Sequence, residues 1–181
     1  MRKQKNLWMI LTIAVLPFFL ISACSPTITE DEQQRLKIAV LPILDALPMD
    51  KVLVVEVKCG SEVIPAMQKA ISESGKLAQC SFISFGWETI CDIQKAFPDN
   101  DCYYLKMTPI GLSNKIEQSA EVGLKGVNLY HKIINQKVVS KAQGLGIEVL
   151  AWTVDDPEVF KKLKRLGVKA ITTNKPEDFV K

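Results

Sequence analysis

Two apolar rhythms alternate along the chain from residue 37 onward. Val52-Leu53-Val54-Val55-Glu56-Val57-Lys58-Cys59-Gly60 is a run of β-branched residues closed by glycine, the pattern of a buried strand. Ser61 to Ser74 then places Val63, Ile64, Met67, Ala70 and Ile71 at helical spacing and stops at Gly75. The pair recurs. A strand over Gln79–Phe85 precedes a helix over Trp87–Phe97, which carries Ile90, Ile93 and Phe97 in register and halts at Pro98-Asp99-Asn100. Cys102–Lys106 and Gly126–Tyr130 are the next strands, with helices over Asn114–Val122 and Val138–Gly144 following them. The strand Ile147–Val154 leads to Asp155-Asp156-Pro157-Glu158, a helix start with proline in the first turn and acids at the positive end. That helix closes at Lys164-Arg165-Leu166-Gly167, and Val168–Thr173 is the last strand. Ahead of the first strand, Ile38–Leu47 reads as a short helix into the Pro48-Met49-Asp50 turn. Six strands alternating with helices predict an α/β fold of parallel strands with right-handed crossovers, in a barrel or a doubly wound sheet. No Gly-rich phosphate loop follows any strand, which argues against a dinucleotide-binding domain.

The first 36 residues follow neither rhythm. Met1-Arg2-Lys3-Gln4-Lys5 is basic, Leu7 to Ala23 is apolar, and Ile21-Ser22-Ala23-Cys24 ends in small residues, as in a secretory signal peptide over 1–23. Those four residues also resemble a bacterial lipobox, which makes Cys24 the expected lipidation site. An uncleaved membrane anchor is the alternative, disfavoured by the short span and Pro17. Residues 24–36, polar and acidic, read as a tether, and 37–181 as the folded part. The expected location is the bacterial cell envelope, with the outer membrane as default because Ser25 carries no inner-membrane retention signal.

Charge changes the picture once the leader is set aside. The chain has 23 basic and 20 acidic residues; without Arg2, Lys3 and Lys5 the two numbers are equal. Neither a nucleic-acid footprint nor a polybasic membrane patch is indicated, so membrane attachment would come from lipid. Cys59, Cys80, Cys91 and Cys102 remain, an even number that permits a disulfide in an oxidising compartment. They fit no zinc pattern, and they read as small apolar core residues or as one bridged pair.

The candidate chemistry sits on the first strand. Glu56 and Lys58 are two apart, so on an extended chain they project from one face, at the C-terminal end where parallel α/β folds bind ligands. The alternative is a buried ion pair that only orders the strand. Taken together, Val55-Glu56-Val57-Lys58, Ser84-Phe85, Ala151-Trp152-Thr153-Val154-Asp155 and Gly167–Pro176, in this order and spacing, resemble the second half of the glycerophosphodiester phosphodiesterase family. The resemblance runs from about Leu41 to the C-terminus.

It implies a TIM barrel of the phospholipase-C-like phosphodiesterase type, with Ca²⁺ or Mg²⁺ as cofactor. The activity implied is hydrolysis of glycerophosphodiesters to an alcohol and glycerol 3-phosphate. Carried over by position, Glu56 matches the family's metal-ligating Glu, Lys58 the catalytic and substrate-binding Lys that faces the phosphate, and Trp152 the aromatic on the substrate side of the pocket. A hard divalent cation takes carboxylate oxygen, and cation plus Lys would neutralise phosphoryl charge. The family's His-Arg-Gly strand, its Glu-Asn-Thr segment, its Glu-x-Asp pair and its second His have no counterpart, and Cys24 to Leu41 is too short to hold them. The only histidine, His131, follows the Val127–Tyr130 strand and reads as a surface or loop residue. The sequence therefore predicts an incomplete barrel of six βα units with the first strands missing, truncated and catalytically impaired, folding poorly alone. Alternatives are a lipid-anchored module that binds phosphate-bearing ligands and a half-barrel completed by a partner chain in an oligomer.

Overall fold

The computed structural model describes residues 12–15 and 42–179, so Cys24 and the tether lie outside the described residues. The described residues divide into two compact units, one running through Asp101 and the other from Cys102 onward. Among the described residues no helix is long and apolar enough to cross a membrane.

In the first unit, strand β1 (Thr12–Val15) runs parallel to β2 (Leu53–Val57), and β2 runs parallel to β3 (Cys80–Ser84). β1 comes from the apolar run expected to be the signal peptide. Helix α1 covers 42–46; Leu44 within it and Leu47 just past it are buried. The β-branched run of β2 needs cover on both faces: Leu53, Val54, Val55 and Val57 are all buried, whereas Glu56 is not fully so. The helix expected over 61–74 opens instead as a 3-10 turn, Ser61–Val63, and becomes α2 at Ile64–Glu73. Pro65, which lacks a backbone N–H, is tolerated only in the first helical turn, and so sets that boundary. Helix α3 (Trp87–Ala96) buries Thr89, Ile90 and Ile93, and the Phe82 and Phe97 rings stack with centroids 4.5 Å apart.

The second unit repeats the pattern with β4 (Cys102–Lys106), α4 (Leu112–Glu121), β5 (Gly126–Tyr130), α5 (Gln136–Gly144), β6 (Glu148–Trp152), α6 (Pro157–Leu166) and β7 (Ala170–Ile171). Its strands pair in parallel, β4 with β5, β5 with β6 and β6 with β7. Val127, Leu129, Val139, Ala142, Ala151 and Leu163 form its core. β4 and β5 have the predicted bounds. The Asp156 carboxylate caps α6 by accepting from Glu158 and Val159 N–H, and Gly167 ends it in the left-handed region at φ 92°. α5 starts two residues before the expected position because the Asn135 side chain accepts from Val138 N–H. β7 is only two residues long, shorter than the run Val168–Thr173 suggested.

Side chains fasten the strand ends of this unit. Tyr103 donates its hydroxyl to Glu148 at 2.9 Å, and Lys125 and Lys169 lie 3.9 and 4.0 Å from the same carboxylate. Just beyond β6, Asp155 accepts from Asn174 N–H at 2.8 Å, from Thr173 Oγ1 at 2.9 Å and from Asn174 Nδ2 at 2.9 Å. Those bonds, the Asn174 N–H first, hold the Asp155 carboxyl below its ordinary range. Among the described residues no two of Cys59, Cys80, Cys91 and Cys102 are bridged by a disulfide. Cys80 and Cys102 are buried as apolar core, and burial pushes the Cys80 thiol up to about 11.

Two outcomes follow from this packing. A Cβ at Gly126 would run into the backbone of Glu148, whereas one at Gly144 meets nothing within 4 Å. Gly126→Ala is therefore expected to lower unfolding stability by about 1–3 kcal/mol while Gly144→Ala leaves it unchanged or raises it by about 0.5–1 kcal/mol, measured by urea denaturation. The lowered Asp155 carboxyl gives stability that is present above the unfolded aspartate value and is lost as pH falls through the folded one. Asp155→Asn should thus melt below the wild type at neutral pH and converge with it in acid; a gap constant with pH would refute the account.

Candidate functional site

β2 delivers the first two candidate residues. Glu56 lies inside the strand and Lys58 one position past its end, with side chains 12% and 37% exposed. Val57 between them is buried. The two-residue spacing does put the charges side by side: Lys58 Nζ lies 3.7 Å from Glu56 Oε1. That separation exceeds hydrogen-bond length, and the half-open Lys58 is screened by water, so the pair is a loose one. Its ammonium keeps the capacity to meet an anion.

Both side chains line a cavity of about 300 Å³, bounded by residues 56–59 at the end of β2 and 84–86 at the end of β3. Such a volume suits a small polar ligand. Ser84 is 1% exposed; its hydroxyl donates to the Val57 carbonyl at 2.6 Å and accepts from Gly86 N–H at 3.1 Å. Phe85 is 46% exposed on the cavity wall. Gly86 has no room for a side chain, since a Cβ would meet Thr89 Oγ1 at 2.8 Å. Cys59 also lines the cavity, but burial, followed by the charge of Glu62, raises its thiol, so it stands protonated rather than as a thiolate nucleophile. Behind it Ser61 donates to Asp92 at 2.7 Å, and this bond, helped by Lys95, holds the Asp92 carboxyl low.

Trp152 belongs to the second unit. Its indole N–H donates to the Asn128 carbonyl at 3.1 Å, and its ring lies 5.5 Å from that of Tyr130, which also has the His131 ring at 4.7 Å and Lys132 Nζ at 5.8 Å. Residue pairing Tyr130↔Trp152 across parallel β5 and β6 puts both rings on one face. His131 opens a 3-10 turn after β5; its Nδ1 and the Asn128 Oδ1 are buried without a hydrogen-bond partner. The structure thus brings Glu56 and Lys58 to one cavity and groups Trp152 with Tyr130 and His131, while Cys24 lies outside the described residues. Ser84 and Phe85 are legible in the sequence only as a motif without a role, and Gly86 lies outside that motif. The signal for one was a serine at a strand's end, where a hydroxyl can bind the neighbouring strand's last carbonyl.

The metal that the resemblance implies was tested against these residues. Ca²⁺ or Mg²⁺ takes about six or more oxygens. Glu56 supplies one carboxylate, shared with an ammonium, and among the described residues no three His, Cys, Asp or Glu side chains come together to hold an ion. The described residues do not by themselves make that site.

Comparison with known proteins places the fold. A protein of Silicibacter pomeroyi named as a glycerophosphoryl diester phosphodiesterase superposes with a TM-score of 0.67 at 22% identity, over 74% of this chain and 52% of that one. A phosphodiesterase of Oleispira antarctica, solved with the product sn-glycerol 3-phosphate, gives 0.64 at 21% identity, over 70% and 53%. These likenesses make the strand–helix units those of an incomplete TIM-type α/β barrel. A glycerophosphodiester phosphodiesterase of Arabidopsis thaliana is 34% identical over 90 residues, which are 49% of this chain and 27% of that protein. The chain therefore spans about half the length of these solved structures and about a quarter of that relative. Residues 43–178 match the model of the glycerophosphoryl diester phosphodiesterase family, and the chain belongs to that family.

Proposed function

We propose that the cavity at the end of β2 binds the phosphate of glycerophosphodiesters or of glycerol 3-phosphate, and that these 181 residues alone hydrolyse such diesters weakly or not at all. The observation that carries the first half is the Glu56–Lys58 pair, 3.7 Å apart on the wall of a cavity of about 300 Å³. Lys58 would pair its ammonium with a phosphoryl oxygen, a charge-assisted bond. Glu56, held at the strand's end, would orient that ammonium and be this chain's one carboxylate toward a Ca²⁺ or Mg²⁺ ion. In the second unit Trp152 and Tyr130 present a paired aromatic face, and Trp152 is the residue that the family resemblance assigns to the substrate side. The Oleispira antarctica structure, with glycerol 3-phosphate bound, makes that compound the natural probe.

The second half rests on what the chain holds. Family members generally depend on a metal ion, and the described residues offer no cluster of three ligands for one. General acid–base work on a phosphodiester needs a proton donor and acceptor near the reacting oxygens, and the chain's only histidine is His131, in the turn after β5. We further propose that Cys24 is lipidated after removal of a signal peptide, holding the domain at a bacterial envelope membrane, and that an oligomer is the route by which any full activity would arise.

Titration of the full-length chain with sn-glycerol 3-phosphate and glycerophosphocholine, in Ca²⁺, Mg²⁺ or chelator, is expected to give saturable binding. Lys58→Ala should weaken it roughly tenfold or more, the worth of one hydrogen bond to a charged group. Absence of binding at about 10 mM ligand, a free energy under about 3 kcal/mol, would end the reading. Glycerol 3-phosphate release that vanishes in Glu56→Ala would overturn the expected impairment, and gel filtration of that sample would tell whether an oligomer is responsible. Metabolic labelling with palmitate should mark the wild type and not Cys24→Ala; an unlabelled wild type would dismiss the anchor.

A further inference from the structure

We infer that Ser84 is a positioning residue for the phosphate site, acting through the backbone on Glu56 and Lys58. This rests on the proposed role of that pair. Ser84 touches neither side chain's charge; its hydroxyl donates to the carbonyl of Val57, the residue between them, at 2.6 Å. The same oxygen accepts from Gly86 N–H at 3.1 Å. One buried hydroxyl therefore joins the end of β2 to the turn that opens α3, the two backbone segments that bound the cavity.

The position matters because regular strand pairing stops there. The parallel register of β2 and β3 runs from Leu53↔Cys80 to Glu56↔Ile83 and no further. Lys58 lies outside the strand. Past Glu56 the pairing with β3 ends, although Val57 still pairs with Val15 of β1, and on the β3 side it is the Ser84 hydroxyl that holds the Val57 carbonyl. Rotating the peptide after Val57 would swing Lys58 away from Glu56. Gly86 fits the same device: a side chain there would press on Thr89 Oγ1 and come within 3.5 Å of Ser84 Oγ. Ser84 thus fixes the spacing of the charges, while Phe85, next along, supplies the wall.

The test uses the full-length chain with Ser84→Ala, Ser84→Cys and Ser84→Thr, and Ile90→Val as a control that loosens α3 without touching the hydroxyl. Two readouts are taken: affinity for sn-glycerol 3-phosphate, and, without ligand, the NMR resonance of the Lys58 side-chain methylene next to nitrogen. Ser84→Ala and Ser84→Cys should shift that resonance and weaken binding by about tenfold, the order expected for a misplaced charge. Ser84→Thr, which retains the hydroxyl, should return both toward wild type, and Ile90→Val should lower the melting temperature while leaving both in place. A Lys58 resonance unmoved in Ser84→Ala, or moved as far by Ile90→Val, overturns the inference. If the wild type binds no glycerol 3-phosphate but the resonance shifts as stated, the positioning stands and the phosphate reading fails.

Discussion

A parallel strand covered on both faces leaves charge nowhere to go except its end. β2 meets this constraint directly: four of its five residues are buried, and the single partial exception is Glu56, next to the strand's last residue. A carboxylate placed two residues earlier would face desolvation without a partner, a cost larger than most single interactions in the fold. At the end, the same group gains a loose ammonium neighbour, a cavity and water. The location of the site is thus a consequence of how the strand is packed.

The ends themselves are held by side chains in addition to the backbone bonds of the sheet. Ser84 binds the Val57 carbonyl in the first unit; in the second, Asp155 gathers Thr173 and Asn174 beyond β6, where β7 has only two paired residues. Short polar side chains serve here because their reach matches one peptide group. The three sequence motifs that include these residues, Ser84-Phe85, Ala151–Asp155 and Gly167–Pro176, set such fasteners beside the aromatic residues Phe85 and Trp152. A motif of this kind selects for geometry as much as for chemistry.

The order and type of the elements were legible in the sequence, because burial on two faces or on one helical stripe imposes periods of two and 3.6 that a reader can count. Gly126–Tyr130 and Cys102–Lys106 came out with the expected bounds, and Asp156, Pro157 and Gly167 marked α6 at both ends. Where bounds moved, a single local group moved them: Pro65 delayed α2, and the Asn135 side chain advanced α5. Adjacency of Glu56 and Lys58 was equally legible, since two residues of an extended chain share a face whatever the rest does. The sequence by itself therefore determined the strand–helix alternation, the family and the charged pair. Only the tertiary structure decided that Ser84, 27 residues after Val57, would hold the carbonyl between those charges, that four cysteines would stay unbridged, and that His131 Nδ1 would be buried without a partner. These depend on which segments meet in space, and no local period along the chain records that.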